Sequence, residues 1–535
     1  ALAGTDLDIE ILIKQFTAAE NTLQDILFTA HADQQQLGLM LDNATMGDAH
    51  ITAKATLPWG NSVTALAPEP VALDTLLHHA ELEVQAQAPD AILRHTTDLM
   101  GDPLDLALTS VQASARPGSA LTVRGVAALN GKPHTVTLQG EPLAALAQHP
   151  AGPWRDLALE VRGEAIRLDA HGSVARPLET AGFDVSYALS GPDIDMLLPL
   201  RGAWSLTGHY ADQPGRHVFD ALKVTLGKSD IGGRIVLHPG GPRPRLVANL
   251  DSSLINLDEF VPEHTGQSKA VDGLDQPLDI NGLAAIDLDV KMRVRQLEGL
   301  TKPVQDMLLS AQADGQRLAL APARATVEGV QLDAQAELPW GERLAALGKN
   351  GISVRQLVQH ADLAFQAEAP AGKLQHEIAL MGHQMNLEFA TVEAVAPPRK
   401  ALELSASARL EDTPVQVSLQ AAPLAELLRR PEGPWQDLAL EIRGGDTHLQ
   451  ASGRVDRPFE ARGFDIGYAL KGAKIETLLP MFKLVLSLEG AYSLTGHFAD
   501  LPDRNVFDQL KISTNQSDIS GDISVYQGDT RPRLV

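Results

Sequence analysis

The strongest constraint on this chain is that it repeats itself over a domain-sized interval. Gly152-Pro153-Trp154-Arg155-Asp156-Leu157-Ala158-Leu159-Glu160 returns as Gly433-Pro434-Trp435-Gln436-Asp437-Leu438-Ala439-Leu440-Glu441, an offset of 281 (433 − 152). Leu57-Pro58-Trp59-Gly60 returns as Leu338-Pro339-Trp340-Gly341 at the same offset, and Asp6-Leu7-Asp8-Ile9 as Asp287-Leu288-Asp289-Val290. After Pro480 a short insertion moves the offset to 288 (494 − 206), so that Leu206-Thr207-Gly208-His209 matches Leu494-Thr495-Gly496-His497. At that offset Arg243-Pro244-Arg245-Leu246-Val247 matches Arg531-Pro532-Arg533-Leu534-Val535. A period this long marks a duplicated module, not a short solenoid unit. A chain of stacked copies works through a repeated surface more readily than through one catalytic pocket. The expected division is a first module over 1–260, a connection over 261–284 and a second module over 285–535. The first repeat continues past Val247 to about Phe260, so the second stops about 13 residues short (260 − 247), and the sequence is expected to be a piece of a longer polypeptide.

The pattern inside each module has period two. Leu7, Ile9, Ile11 and Ile13 alternate with Asp8 and Glu10, and Leu288, Val290, Met292 and Val294 alternate with Asp289, Lys291 and Arg293. Such alternation builds strands with one apolar and one polar face. Turn signals separate the strands, among them Asn130-Gly131-Lys132-Pro133, Ala151-Gly152-Pro153 and Pro239-Gly240-Gly241-Pro242. The expected class is all-β: an elongated, curved antiparallel sheet forming a groove, or tandem β-sandwich-like modules, with a few short helices. Those helices are expected at 73–80 and 354–361, at 141–147 and 422–428, where a proline stands at the start, and at 193–198 and 474–479.

Composition narrows the function. A net charge of −24 leaves no basic surface for a nucleic-acid partner or for anionic headgroups. The absence of cysteine removes disulfides, thiolate metal sites and cysteine nucleophiles. Aromatic residues make up 4% of the chain, so burial rests on Leu, Val, Ile and Ala. No apolar run reaches membrane-spanning length.

The order of the segments resembles the AsmA-like family of Gram-negative envelope proteins. The resemblance is carried by the strand Leu7–Ile13, Leu23-Gln24-Asp25-Ile26-Leu27, Gln36-Leu37-Gly38-Leu39, Pro142-Leu143-Ala144-Ala145-Leu146 and Gly152-Pro153-Trp154. It continues through Gly172-Ser173-Val174, Gly182-Phe183-Asp184-Val185, Gly191-Pro192-Asp193-Ile194, Trp204-Ser205-Leu206-Thr207-Gly208, Gly227-Lys228-Ser229-Asp230 and Arg243-Pro244-Arg245-Leu246, nearly all repeated in the second module. The resemblance implies a β-groove with an apolar lining, tethered to the inner membrane and reaching through the periplasm. Its implied role is the movement of phospholipid towards the outer membrane and outer-membrane biogenesis. The N-terminal anchor helix of the family is not in this sequence. The groove-lining candidates are Leu7, Ile9, Ile11, Ile13, Val136, Leu138, Leu157, Leu159, Val161, Val185, Leu222 and Val224, with Leu288, Val290, Met292, Val294, Leu438, Leu440, Ile442 and Ile466 in the second module. The implied partners are phospholipid and the two membranes.

Catalytic spacings are missing: there is no zincin helix, nucleophile elbow or phosphate-cradling glycine loop. His78-His79 becomes Gln359-His360 in the second copy, and adjacent helical residues point apart. His209 and His497 are expected to hydrogen-bond Asp212 and Asp500 at strand ends. Ser229-Asp230 and Ser517-Asp518 read as capped turns, Trp154 and Trp435 as pins on theirs, and Trp59 and Trp340 as strand closures. No enzyme activity, cofactor or metal is expected. The competing reading is a structural or adhesive surface protein of tandem β-sandwiches with closed cores.

Overall fold

In a computed structural model the fold is all-β, with consecutive strands paired antiparallel and few short helices. The structure describes residues 6–534 apart from 19–20, 67–72, 89–91, 100–101, 130, 165, 194–201, 261–276, 279–283, 301, 348–351, 371–374, 381–382, 411–412, 461, 475–489, 516 and 527–532. The chain divides into two compact units, Ala1–Gly240 with Ala248–Pro262, and Gly241–Val247 with Glu263–Val535. Within the stretch read as a connection, Pro277–Leu278 forms a short strand on Ile352–Ser353 and so belongs to the second unit.

Pairing follows the sequence order, as expected when short turns join amphipathic strands. In the first unit Leu7–Ala18 pairs with Asn21–Ala32, which pairs with Gln36–Met46, and so on to Ser229–His238. One strand departs from simple succession. Asp102–Ala115 takes Glu81–Gln87 along its second half and Leu93–Leu99 along its first. The second unit repeats this: His383–Ala396 takes both Asp362–Glu368 and Gln375–Leu380. The registers repeat at the sequence offsets. Val161↔Leu168↔Leu189↔Leu206↔Val224 in the first unit is Ile442↔Leu449↔Leu470↔Leu494↔Ile512 in the second.

The irregularities repeat as well. The pairing slips between Trp154 and Leu157, where Asp156 has φ 51°, and between Trp435 and Leu438, where Asp437 has φ 55°. A second bulge places Ala221 at φ 48° and Gln509 at φ 52°. A residue held in the left-handed region absorbs the extra position of a bulge, and recurrence in both copies marks it as built in. The Gly152–Pro153 and Gly433–Pro434 bonds are both cis.

Four of the expected helices are present, at Leu73–His78, Leu143–Gln148, Val354–His360 and Leu424–Leu427. Ser353 and Gln356 close a reciprocal capping box on the third of these. Of the 193–198 and 474–479 pair, all but Asp193 and Lys474 lie outside the described residues. Two further helices, Gly60–Leu66 and Gly341–Ala345, follow the Leu-Pro-Trp-Gly motif. Side chains at their glycines are blocked: a Cβ on Gly60 would lie 2.4 Å from the Gln34 carbonyl oxygen, and one on Gly341 2.2 Å from that of Gly315.

Closed packing is local. In the second unit Trp340, Leu344, Ile352, Leu318, Ala313 and Ala284 form a core, with Leu288, Leu320 and Leu338 against it. In the first unit Ile166, Trp204 and Leu226 form another, contacted by Leu189 and Leu206. Trp204 and Trp340 each donate the indole N–H to a backbone carbonyl, Asp193 and Ile286 respectively. The adjacent strands also approach too closely for a side chain at Gly172 and Gly453. A Cβ there would lie 2.0 Å from the Asp184 carbonyl oxygen and 2.1 Å from that of Asp465. Backbone cannot yield as a rotamer can, so Gly172→Ala and Gly453→Ala are each expected to destabilise by about 2–4 kcal/mol. Denaturant unfolding of the two variants measures this; loss below about 0.5 kcal/mol contradicts the close approach.

Candidate functional site

The candidate site is the apolar face of the sheet, and cross-strand register defines it. Directly paired residues in an antiparallel ladder project to the same side. In the first unit one row of such pairs runs Ile11↔Phe28↔Leu41↔Ala53↔Val84↔Ala113↔Val123↔Leu138↔Leu159↔Ala170↔Tyr187↔Gly208. The next row runs Ile51↔Ala86↔Val111↔Gly125↔Val136↔Val161↔Leu168↔Leu189↔Leu206↔Val224↔Ile231. Neither row contains a charged residue. The ring of Tyr187 covers the bare backbone at Gly208, where a Cβ would meet the phenol oxygen at 2.8 Å, and Tyr468 covers Gly496 in the same way. Burial pushes both phenol pKa values up.

The second unit carries the same surface. Its row Leu332↔Ala367↔Val392↔Ala406↔Val417↔Ile442↔Leu449↔Leu470↔Leu494↔Ile512↔Ile519 matches the second row of the first unit position by position. A parallel row runs Ala334↔Phe365↔Ala394↔Leu404↔Leu419↔Leu440↔Ala451↔Tyr468↔Gly496.

All the expected lining residues lie on these faces, each within its own unit. Most are neither buried nor free: Leu157, Leu159, Val161, Val185, Val224, Leu440 and Ile442 are half-buried, and Ile9, Ile11 and Leu138 are 40%, 44% and 39% exposed. Val294 is the exception. It is fully enclosed at 0% exposure, so it supports the sheet and cannot touch anything lying on the face. Among the described residues nearly all strands belong to one large sheet; the second sheet is the two-stranded pair of Pro277–Leu278 with Ile352–Ser353, whose Ile352 is buried in the core with Leu318 and Trp340.

Phe28, Leu39, Leu41, Val84, Val123, Phe365, Leu404 and Leu419 belong to the same faces but were not expected there. Their strands do alternate, as in Gln36-Leu37-Gly38-Leu39-Met40-Leu41. Alternation within a strand does not say which of its two faces joins the neighbour's apolar side; register does.

The opposite face is polar. Its row Glu10↔Thr29↔Met40↔Lys54↔Glu83↔Ser114↔Thr122↔Gln139↔Ala158↔His171↔Ser186↔His209 mixes charges and amides. Here His209 bridges two carboxylates, Nε2 to Asp184 at 2.8 Å and Nδ1 to Asp220 at 3.2 Å. His497 repeats this with Asp465 at 2.7 Å and Asp508 at 2.9 Å. The expected partners are therefore wrong. Asp212 and Asp500 instead accept the backbone N–H of Gly182 and Gly463, because they stand at the strand end beside those turns. Hydrogen bonding to Asp184 and to Asp465 raises the pKa of His209 and His497.

Among the described residues no group of three His, Asp or Glu has the geometry of a metal site. His78 and His79 are exposed with their ring centroids 6.1 Å apart, and His79 bonds the Thr75 carbonyl. Ser229 and Asp230 open the strand Ser229–His238, and the bonds found for their side chains reach distant segments, not a turn of their own: Asp230 accepts from Ser253 and Leu254, and Ser229 donates to Glu259. Among the described residues no helix is long and apolar enough to cross a membrane. Comparison of the chain with models of protein families and with curated proteins gives no match.

Two outcomes follow from this geometry. Ile11→Asp, on the open face, is expected to cost under about 1 kcal/mol, whereas Val294→Asp buries an unpaired charge and costs about 3 kcal/mol or more. Equal losses in thermal unfolding would mean that the face is covered. The histidines set a pH dependence. Their folded pKa values stand above the unfolded value of about 6.5. The stability they contribute is therefore full below about pH 6.5 and is lost as pH rises through the raised values. Partial exposure keeps it below about 1 kcal/mol per site. His209→Gln combined with His497→Gln should flatten that slope; an unchanged slope contradicts the bridges.

Proposed function

We propose that this chain is a non-enzymatic, AsmA-like lipid-handling protein of the Gram-negative periplasm, whose apolar sheet face shields phospholipid acyl chains. The observation that supports the reading most is the uncharged row that crosses strand after strand while its Leu, Val and Ile side chains stay partly exposed. Such a surface loses free energy to water unless something apolar lies on it. An acyl chain gains about 0.8 kcal/mol for each methylene it buries. Eleven strand-to-strand steps of about 4.8 Å make the first row roughly 50 Å long, about three times the ~15 Å half-thickness of a bilayer's hydrocarbon core. The row therefore suits chains that slide, since it offers the same contact at each strand. Headgroups would remain in water at the open side, and nothing in this mechanism requires a bond to be made or broken.

The alternative, a structural or adhesive protein with closed sandwich cores, is favoured by the two local cores around Trp204 and Trp340. Those cores enclose only part of each face.

Native mass spectrometry of protein purified from a Gram-negative envelope separates the two readings. The expected result is bound phospholipid in the parent protein and its loss in Leu159→Asp and Leu440→Asp, with circular dichroism unchanged. A parent free of lipid, together with unfolding of both variants, would overturn the proposal in favour of the closed-core protein.

A further inference from the structure

At one end of its apolar face the second unit carries a charged hollow. One step from the row through Phe365, Ala394 and Leu404 towards the strand ends, the same face continues as Ala336↔Leu363↔Ala396 and Leu402↔Ala421. Beyond these residues the helices Val354–His360 and Leu424–Leu427 pack on each other. Between them and the turn after Ala396 lies a hollow of about 290 Å³, with Val358, Ala396 and Leu424 on its apolar side and Arg399, Arg429 and Glu426 beside them. The three charged residues are exposed, so the hollow joins the apolar face to water. An adjoining hollow of about 200 Å³ shares Arg429 and Glu426 and adds Arg430 and Asp437.

The charges here are not spent on the fold. Among the described residues the side chains of Arg429 and Glu426 enter no ion pair. Arg399 Nη2 donates to His360 Nε2 at 2.7 Å, and His360 Nδ1 donates in turn to the Gln356 carbonyl at 2.9 Å. The guanidinium is thus tied to the helix by an acceptor that carries no negative charge. Arg399 also stands at φ 57°, in the left-handed region, where its repeat Gly118 has φ 67°. A glycine takes that turn freely, so the arginine occupies it at a conformational cost. At the offset of 281 the apolar side of the hollow is kept as Leu77, Ala115 and Leu143, while Gly118, Gln148 and Ala145 replace Arg399, Arg429 and Glu426. The corner therefore forms without the charges, and they are free to meet a ligand.

We propose that this hollow holds the headgroup of a phospholipid whose acyl chains lie on the adjoining apolar face, with Arg399 and Arg429 on the phosphate and Glu426 on an ammonium group. The proposal rests on the lipid-handling reading of the face and assigns the headgroup a place in the second unit. A guanidinium matches two phosphate oxygens at once. Glu426 repels a doubly charged free phosphate, whereas a phosphodiester that carries an ammonium group gives each charge an opposite partner. The ligand class is accordingly a zwitterionic phospholipid of the phosphoethanolamine type. In a chain of net charge −24, this pairing at the end of the apolar face fixes where along the face the lipid stops.

Calorimetric titration of the full chain with short-chain lipids below their micelle concentration tests this. The probes are dihexanoyl phosphatidylethanolamine, dihexanoyl phosphatidylglycerol, dihexanoylglycerol and inorganic phosphate. The phosphatidylethanolamine is expected to bind about tenfold or more tightly than dihexanoylglycerol, the worth of a charge-assisted contact. Arg399→Gly with Arg429→Gln, the residues of the first unit, should remove that advantage and leave dihexanoylglycerol binding unchanged. Glu426→Gln should remove the preference for phosphatidylethanolamine over phosphatidylglycerol, and Leu440→Asp should weaken all three lipids. A headgroup advantage that is absent, or that survives the double arginine variant while dihexanoylglycerol still binds, would overturn this site and leave the apolar face standing. No binding of any lipid would overturn both readings. Inorganic phosphate bound as tightly as the phosphatidylethanolamine would mark a free-phosphate site and overturn the lipid assignment.

Discussion

The antiparallel hydrogen-bond ladder is the constraint on which everything else depends. It forces side chains to alternate between faces, and it forces directly paired residues to agree on which face they take. A slip of one residue anywhere would move a strand's whole apolar set to the polar side. The bulges show how strictly the phase is kept. Phe219 and Leu222 are three apart, an odd spacing that would place them on opposite faces of a regular strand. Ala221, at φ 48°, absorbs the extra residue, and both side chains join the apolar face through Ile235 and Gly233. Phe507, Gln509 and Leu510 do the same in the second unit.

This explains how much was legible in the sequence. Duplication, strand alternation and most helices follow from local pattern, because an offset and a period can be read without knowing what pairs with what. The apolar side of each strand was equally legible, and Leu7, Leu159, Ile442 and their companions lie where alternation puts them. Pairing across strands was not. The partners of His209 depend on Asp184 and Asp220 being neighbours across two ladders, whereas Asp212, three residues away in sequence, sits at a strand end and serves a turn. Alanine-rich stretches such as Ala53 and Ala55 also hid their part in the face, since alanine carries little hydrophobic signal and yet keeps the row continuous. Val294 shows the converse failure: its residue type and phase match the open face, but what covers it is set by tertiary packing.

The energetics of such a sheet are unusual for a chain of this size. Large side chains that would be enclosed in a sandwich remain partly exposed here, and full enclosure falls mainly on alanines and on the Trp204 and Trp340 clusters. Stability must then rest on the ladder, on these clusters and on cross-strand pairs, with the apolar face contributing less than its area would in a closed core. That reserve of unburied surface links fold to function: a ligand that covers the face recovers hydrophobic free energy which folding alone leaves unrealised.

The most direct measurement asks what lies against each face in the cell. The chain has no cysteine, so a single introduced one carries a label at a single position. Leu159→Cys and Leu440→Cys on the apolar face, and Ser186→Cys on the polar face, would each bear a photo-reactive cross-linker. Irradiation in a Gram-negative envelope preparation followed by mass analysis of adducts should give phospholipid adducts at 159 and 440 and none at 186. Adducts at neither apolar position, or equal adducts on both faces, would contradict the account.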